Sequence, residues 1–236
     1  MNLEKLHERL DKEMEELGES PYLIKLLEPG FVDKRLYAIY MCETYHYTKH
    51  NAKNQALVAT RHENMSPQYM KFCLNHAAEE VGHELMALHD LKKMGVQITE
   101  EELPEPLNST QALIGYLYYL SEKLNPLARL GYSFWAERVY EHIQPLLEMM
   151  SDGLKIPKSA MTFFNEHSDI DEKHAQDVDK AIMSFVKTQE DLNAVEETMV
   201  NSLKMTVRML DEVFEQFIKV KEGSESRYFF LDQIEL

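Results

Sequence analysis

Basic residues are scarce in this sequence. Its 236 residues include 25 Lys plus Arg against 41 Asp plus Glu, which gives a formal charge of −16 at pH 7. A nucleic-acid-binding surface neutralises phosphates with Lys and Arg, and a polybasic membrane patch needs the same residues. We therefore expect neither nucleic acid nor a membrane among the partners.

Long hydrophobic runs and cysteines are also few. The best apolar stretch, at residues 112–120, is far shorter than the roughly 20 residues that span a bilayer. Two cysteines, Cys42 and Cys73, cannot form a disulfide framework, and the first residues do not resemble an export signal. We expect a cytoplasmic protein, in which 44% apolar residues are enough to bury a core.

Glycine and proline number only eight each, and they fall between segments whose apolar residues have helical spacing. Alternating runs typical of strands are absent. The pattern predicts an all-α fold of about seven helices in one domain, 1–236, of which 223–236 are a C-terminal tail that docks on the body or on a partner. The predicted helices cover about residues 3–17, 31–62, 67–94, 110–123, 126–150, 157–187 and 189–221.

Several helix ends carry recognisable signals. Ser66 before Pro67 is a typical start. Ser109 or Thr110 is expected to cap the fourth helix. Thr188 has an aspartate three residues further on, which resembles a capping box for the last helix.

A pattern of His-x3-acid-x2-His occurs twice, on two predicted helices. Offsets of four and seven residues place all three side chains on one helix face. One such stripe is ordinary on an acidic helix, but two with identical spacing are hard to obtain by chance. The two copies are His76, Glu80, His83 and His167, Asp171, His174.

A metal site explains these residue types. Imidazole together with carboxylate suits iron, manganese or zinc, and a site without cysteine disfavours structural zinc. Bundles that hold two irons or two manganeses take one Glu from each of two helices and Glu-x-x-His from each of two others. The sequence fills this scheme in chain order with Glu43, Glu80 and His83, Glu137, and Asp171 and His174, while His167 supplies a further nitrogen.

Alternatives exist for individual residues. Glu43 could pair with a neighbouring His or Lys. Glu79 is as well spaced from the next histidine as Glu80 is. His76 could be a ligand, support a ligand or lie on the surface, and the spacing does not decide. Glu137 lies in an aromatic stretch, where an unpaired carboxylate would be costly to bury, so a cation partner is favoured.

At these residues the chain resembles a known family, the heme-oxygenase-like diiron oxidases and oxygenases. The resemblance lies in four segments: Glu43–Leu57, His76–Gly95, Glu137 with its aromatic neighbours, and HSDIDEKH at His167–His174. It covers about residues 20–220. The family fold is the seven-helix bundle shared with heme oxygenase, thiaminase II and pyrroloquinoline quinone synthase.

The resemblance implies two irons and O2. Some members carry a ligand glutamate seven residues before the histidine that corresponds to His83, where this chain has His76 instead. Members decarboxylate fatty acids, N-oxygenate amines or fragment amino acids. The ligands it implies are His83, Glu137, His167, Asp171 and His174, with carboxylates from the first two long helices at Glu43 and Glu80.

The resulting hypothesis is a non-heme diiron oxidoreductase, with manganese as the alternative metal, that oxidises a small amine, amino acid or carboxylic acid. An external electron donor and a homodimer belong to this hypothesis. One alternative keeps the fold without metal, as in quinone synthase or thiaminase. Another is an iron store or a non-enzymatic interaction protein. Heme binding is a weaker option, because one proximal histidine would not need several matched carboxylates.

Overall fold

The computed structural model describes residues 3–26, 28, 33–61, 65–154, 156 and 158–235, except for the side chains of 26, 158 and 166–172. These residues form helices and no strand, which confirms the all-α fold class. The helices are α1 (Leu3–Gly18), α2 (Pro21–Leu26), α3 (Lys34–Thr48), α4 (Asn51–Arg61), α5 (Pro67–Glu79), α6 (Glu84–Lys93), α7 (Asn108–Lys123), α8 (Arg129–Ala136), α9 (Val139–Leu154), α10 (Thr162–Phe185) and α11 (Gln189–Lys221).

The helix predicted over residues 67–94 is broken in its middle. It begins as expected, because the Ser66 side chain accepts the N–H of Tyr69 at 3.1 Å. It also ends as expected, at Gly95 with φ 96°. Between these points Gly82, with φ 94°, turns the chain from α5 into α6. This backbone conformation is costly for residues with a Cβ.

Two other predicted helices are also interrupted. The segment predicted over 31–62 forms α3 and α4, which are separated at residues 49–50. The segment predicted over 126–150 forms α8 and α9, which are separated at residues 137–138, with Pro145 inside α9. Neither break contains Gly or Pro, so the residue pattern did not indicate them.

The longest helix, α11, packs along α8. Its start has the predicted capping box: Asp191 N–H donates to the Thr188 hydroxyl, and Thr188 N–H donates to the Asp191 carboxylate, each at 3.1 Å. A Cβ at Gly131 on α8 would lie 2.1 Å from the carbonyl oxygen of Val195 on α11. Glycine therefore sets the close approach of the two helices, and with it the position of Glu137 at the end of α8.

The C-terminal segment docks on the body of the protein. A 3-10 helix, Phe229–Gln233, follows α11, and Phe230 is fully buried. The Tyr228 hydroxyl donates a hydrogen bond to Glu43 at 3.0 Å. Of the two placements expected for the tail, 223–236, the structure shows the one on the body.

Two hydrophobic clusters make up the core. One is built mainly on α3, α6, α9 and the C-terminal segment, and the other mainly on α1, α4, α5, α7, α8 and α11. Val139 and Ile143 on α9 pack against both. No helix in the described ranges combines the length and the apolar character that a membrane span requires.

Candidate metal centre

Two buried acids each follow the end of a helix. Glu80 follows α5, and its N–H donates to the carbonyl of His76 at 3.1 Å. Glu137 follows α8, and its N–H donates to the carbonyl of Ser133 at 3.0 Å. The C-terminal end of a helix carries roughly half a negative charge. Each carboxylate therefore adds to a potential that is already negative, and a cation at this point would be stabilised by both.

Four side chains converge here. Ligand atoms of His76, Glu80, Glu137 and His174 all lie within 4.8 Å of one another. Glu137 contacts both imidazoles, with Oε1 3.2 Å from His76 Nε2 and Oε2 3.3 Å from His174 Nδ1. His174 Nδ1 is also 3.9 Å from Glu80 Oε1. All four residues are buried, with exposed fractions between 3% for His174 and 8% for Glu137.

His83 lies beside this cluster. Its Nδ1 is 3.6 Å from Glu80 Oε2, and the residue is buried. The turn at Gly82 breaks the helix on which the predicted stripe depended, yet His83 stays within reach of Glu80. The two residues therefore stay close together although the helix is broken between them.

Burial and charge act differently on the pKa values of the cluster. Burial raises the pKa of Glu80, and the charge of Glu137 raises it further. Burial would also raise the pKa of Glu137, but the close contacts with the His174 and His76 imidazoles hold it well below its usual value. Burial would lower the pKa of His174, but the close contact with the Glu137 carboxylate leaves it raised. Without a metal, the cluster favours an ionised Glu137 paired with a protonated His174.

The structure does not bring Glu43 into this cluster. Glu43 is fully buried, and its two carboxylate oxygens accept hydrogen bonds from the N–H of Leu107 at 3.0 Å, the hydroxyl of Thr110 at 2.5 Å and the hydroxyl of Tyr228 at 3.0 Å. Thr110 therefore donates to a distant acid, and the Ser109 hydroxyl donates to Glu212. Neither side chain caps α7 as predicted, since Leu107 occupies the N-cap position. A ligand role for Glu43 stays a prediction that this arrangement does not support.

Two predicted ligands on α10 lie outside the described side chains. His167 and Asp171 share this helix with His174, and their ligand roles stay predictions. Apart from Glu43, each predicted ligand whose side chain is described lies in the cluster or beside it.

His76 and Glu79, which the spacing left undecided, take different positions. His76 joins the cluster, and its Nδ1 is buried without a hydrogen-bond partner among the described residues. The Glu79 side chain is 44% exposed, and its Oε2 lies 3.2 Å from His174 Nε2. Glu80 is therefore the acid of this pair that faces the cluster.

A buried cation near the site was not predicted from the sequence. Arg129 donates from Nε to Asn54 at 2.6 Å and from Nη1 to Ser133 at 2.8 Å, and its guanidinium lies 4.4 Å from the centre of the Tyr132 ring. Burial lowers its pKa, while Tyr132 and the two site acids oppose that effect. The available signal was a lone charged residue in the apolar stretch 126–136.

The residues present fit a divalent transition metal. Two carboxylates and two imidazoles form a donor set that suits iron or manganese. The unpartnered Nδ1 of His76 is the kind of buried polar atom that a ligand satisfies. The helix ends at Glu80 and Glu137 favour positive charge. Geometry, hydrogen-bonding capacity and local potential therefore point to the same occupant.

The cluster lies between two open spaces of different character. A cavity of about 190 Å³ is lined by Glu80 and Glu137 and mostly by apolar side chains. A more open groove of about 390 Å³ is lined by His76, His174 and other polar residues. The acids thus line the apolar cavity, and the histidines line the more open groove.

The region that carries the cluster matches a known family. The family described as "iron-containing redox enzyme" matches residues 38–208, which is more than two thirds of the sequence and includes all four cluster residues. The chain belongs to this iron-containing redox enzyme family.

Solved structures confirm the heme-oxygenase-like fold. A domain of unknown function with this fold from Shewanella denitrificans is 44% identical, with a TM-score of 0.92 over 98% of this chain and 99% of that chain. A TenA homologue from P. horikoshii is 15% identical, with a TM-score of 0.68 over 90% and 97% of the two chains. A CADD-like protein of unknown function from Nostoc punctiforme is 16% identical, with a TM-score of 0.65 over 90% and 96%.

These relatives differ in what they show about family membership. The Shewanella domain supports membership at the level of sequence, whereas the other two show the shared fold alone. Among curated proteins, no sequence matches this chain significantly. The resemblance to a heme-oxygenase-like family of iron-containing redox enzymes is therefore confirmed, and the reaction of this member rests on its own site.

Proposed function

We propose that this member of the iron-containing redox enzyme family is a non-heme diiron oxidase or oxygenase that uses O2 to oxidise a small amine, amino acid or carboxylic acid. The observation that carries the proposal is the buried convergence of His76, Glu80, Glu137 and His174 within 4.8 Å. Manganese in place of one or both irons is the alternative metal.

The cluster supplies part of a two-metal ligand set. Glu80, Glu137, His76 and His174 would hold metal, and His83 is adjacent through its 3.6 Å contact with Glu80. The predicted α10 ligands would complete a second position, as in bundles that hold two metals between four helices. Reduction of O2 and oxidation of the substrate are the chemistry that bound iron supplies.

The cluster residues differ in what they must give up to bind a cation. Glu137 is already ionised, because its pKa is held below the usual value. Pairing with Glu137 favours the protonated form of His174, and that form must release its proton before this nitrogen can bind a metal. Metal uptake should therefore release protons and strengthen as pH rises.

The surrounding structure keeps the acids away from bulk water on one side. Their cavity has mostly apolar walls, so a substrate bound there displaces water from the reacting end and is held in one orientation. The groove at the histidines leaves a second route to the site. O2, a small-molecule substrate and an external electron donor are the partners of this proposal, and we propose a cytoplasmic homodimer.

The proposal is tested by iron content and O2 consumption. The purified protein is freed of metal with a chelator, reconstituted with Fe(II) without air, and then mixed with O2. We expect two irons per chain and O2 consumption that depends on them. Binding of less than about half an iron per chain, or no response to O2, would overturn the proposal.

Substitutions separate this function from its alternatives. His83→Ala and Glu137→Gln should lower iron content, whereas Glu43→Gln should not. Unchanged iron content in both site variants, with activity that needs no metal, would favour an enzyme of the quinone-synthase or thiaminase type. Iron binding without any O2-dependent chemistry would favour a non-enzymatic iron-binding protein.

A further inference from the structure

We propose that metal reaches the cluster through the groove lined by His76 and His174, and that Glu79 is the entry residue. Its carboxylate binds the hydrated divalent cation first and passes it to His174. This inference rests on the metal site of the proposed function and adds a transient site to it. It follows from the walls of the two open spaces, from the positions of the imidazole nitrogens and from the charges in the groove.

The cavity of about 190 Å³ is an unfavourable route for an ion. Its outer end borders an open surface depression, and the residues common to both are Leu17, Leu23, Ile143 and Leu146. Its described walls are mostly apolar or aromatic, and their only carboxylates are those of the cluster. Removing water from a cation in such a space is costly. An ion on this route would lose its hydration shell before it contacted a ligand.

The groove of about 390 Å³, in contrast, has polar walls up to the imidazoles. Its lining side chains on α5 and α10 include Gln68, Asn75, Glu79, Asp177 and Ser184. Carboxylate, amide and water oxygens are the usual ligands of hard divalent cations. A cation in the groove can therefore exchange water for protein oxygens step by step.

Each imidazole of the cluster has one nitrogen at Glu137 and a second one that Glu137 does not contact. His174 Nδ1 lies 3.3 Å from Glu137, and its Nε2 lies 3.2 Å from Glu79 Oε2. His76 Nε2 lies 3.2 Å from Glu137, and its Nδ1 is buried without a hydrogen-bond partner among the described residues. Both histidines line the groove, and neither lines the apolar cavity. The imidazoles therefore form the boundary between the groove and the acids.

Glu79 and His174 are spaced to share one cation. Bonds from a divalent transition metal to nitrogen and oxygen ligands are about 2.1 Å long. At that length, two ligand atoms 3.2 Å apart enclose an angle of roughly 100° at the ion, between the octahedral and tetrahedral values. The Glu79 side chain is partly exposed, so it contacts solvent cations before the buried histidine does.

Apart from the imidazoles, the described ionisable side chains that line the groove are two acids and two lysines. Lys173 donates to Glu79 at 3.1 Å, and Lys180 donates to Asp177 at 2.8 Å. These four side chains are between 39% and 68% exposed, and exposed ion pairs contribute little free energy. A divalent cation can therefore displace a lysine from its acid, and the lysines slow capture without preventing it.

The test follows the binding of Co(II) to the metal-free protein. Co(II) binds nitrogen and oxygen sites more tightly than Fe(II) does, and its visible absorbance reports the bound ion. Full-length protein freed of metal with a chelator is mixed rapidly with Co(II) in the absence of O2. The association rate constant follows from the dependence on Co(II) concentration, and the dissociation rate constant follows from displacement by excess chelator.

Glu79→Gln should lower the association rate constant about five- to tenfold. It should lower the dissociation rate constant by a similar factor, because an entry residue stabilises the passage of the ion and not its final complex. The dissociation constant should therefore stay within about threefold of wild type. Lys173→Gln should raise the association rate constant about two- to threefold. High salt should reduce these differences.

Glu196→Gln is the matched control for Glu79→Gln. Glu196 is an ion-paired acid of α11 with a side chain 40% exposed, and it does not line the groove. Its replacement removes the same charge and should leave the association rate constant within about twofold. Equal effects in the two variants would overturn the role of Glu79. An unchanged association rate constant in Glu79→Gln with a dissociation constant raised about tenfold would also overturn it, because Glu79 would then be a permanent ligand.

Two further variants distinguish the groove from the cavity. Asn75→Trp narrows the groove at an exposed position and should slow association by about threefold or more without changing the amount of metal bound. Val207→Phe narrows the apolar cavity from α11 and should leave the association rate constant within about twofold. The opposite order of effects would place metal entry in the cavity.

This inference and the diiron function can fail separately. Slower metal uptake in Glu79→Gln, in a protein that does not react with O2 once loaded with iron, would leave groove entry standing and remove the function. Two irons and O2 consumption, with equal association rate constants in Glu79→Gln and Glu196→Gln, would do the reverse. A protein that binds no metal would overturn both.

Discussion

Two pairs of buried acids in this bundle are stabilised in opposite ways. Glu43 and Asp90 are fully buried and accept hydrogen bonds from neutral backbone and hydroxyl donors. Glu80 and Glu137 are buried as well, but imidazoles are their close neighbours. The first pair is stabilised by hydrogen-bond donors of the protein, while the second pair still favours a bound cation.

Helix direction explains the difference. Asp90 accepts the N–H groups of Thr162 and Phe163 at 2.8 and 3.0 Å, at the start of α10, and the hydroxyl of Tyr37 at 3.2 Å. Glu43 has a similar position at the start of α7. The start of a helix carries partial positive charge, and its end carries partial negative charge. A buried carboxylate at the start of a helix therefore needs no metal, whereas a buried carboxylate at the end of a helix is stabilised by one.

The largest expected effect comes from a substitution in the first pair, at Asp90. Asp90→Ala leaves the N–H groups of Thr162 and Phe163 without their acceptor, and we expect it to lower the free energy of unfolding by about 3–5 kcal/mol. Urea denaturation measures this. Asp177→Ala, which removes a partly exposed acid of α10, is the control and should stay within about 0.5 kcal/mol of wild type. Equal losses of stability in both variants would contradict the structural role proposed for Asp90.

The next largest effect comes from a substitution in the second pair, at Glu137. Glu137→Gln should weaken Fe(II) binding about 100-fold, or roughly 2.7 kcal/mol, because it removes a charge that the cluster needs. Glu43→Gln should leave iron affinity within about threefold and lower stability instead. Anaerobic titration with Fe(II) and urea denaturation of both variants give the comparison. Loss of iron binding in Glu43→Gln would place that acid among the ligands, as the residue pattern predicted.

A third effect moves one acid and leaves its counterpart in place. Gly131→Ala puts a Cβ against the carbonyl of Val195, so α8 must shift away from α11 and displace Glu137. We expect a loss of about 1–3 kcal/mol in stability together with weaker iron binding. Gly115→Ala on α7, where a Cβ meets no atom within 4 Å, should instead stabilise by about 0.5–1 kcal/mol. Thermal unfolding with and without iron separates the two.

The smallest effect concerns the acid on the outside of the cluster. Glu79 touches His174 from the groove and is partly exposed. Glu79→Gln should therefore change iron affinity by no more than about threefold, since exposed pairs contribute little. Glu80→Gln, one residue later, should cost far more. A larger loss in Glu79→Gln than in Glu80→Gln, measured by the same titration, would reverse their roles.

Local signals were predictable from the sequence, and long-range ones were not. The capping box at Thr188 and the helix end at Gly95 depend on neighbours within a few residues, so their patterns predicted them. The site acids Glu80 and Glu137 were found because two helices repeat one spacing and because an acid among aromatics needs a partner. The break after α8, and the donors that occupy Glu43, depend on contacts that the residue pattern does not contain.

The bond between Tyr228 and Glu43 also bears on how the chain is made. The two residues are 185 positions apart, and ribosomes add about 5–20 residues per second, so Glu43 waits on the order of 10 to 40 seconds for this donor. Throughout that interval a nascent α3 carries an acid that lacks one of its hydrogen bonds. Completion of this part of the core therefore waits until residue 228 has been synthesised, and chains cut short before residue 228 should be more susceptible to proteases.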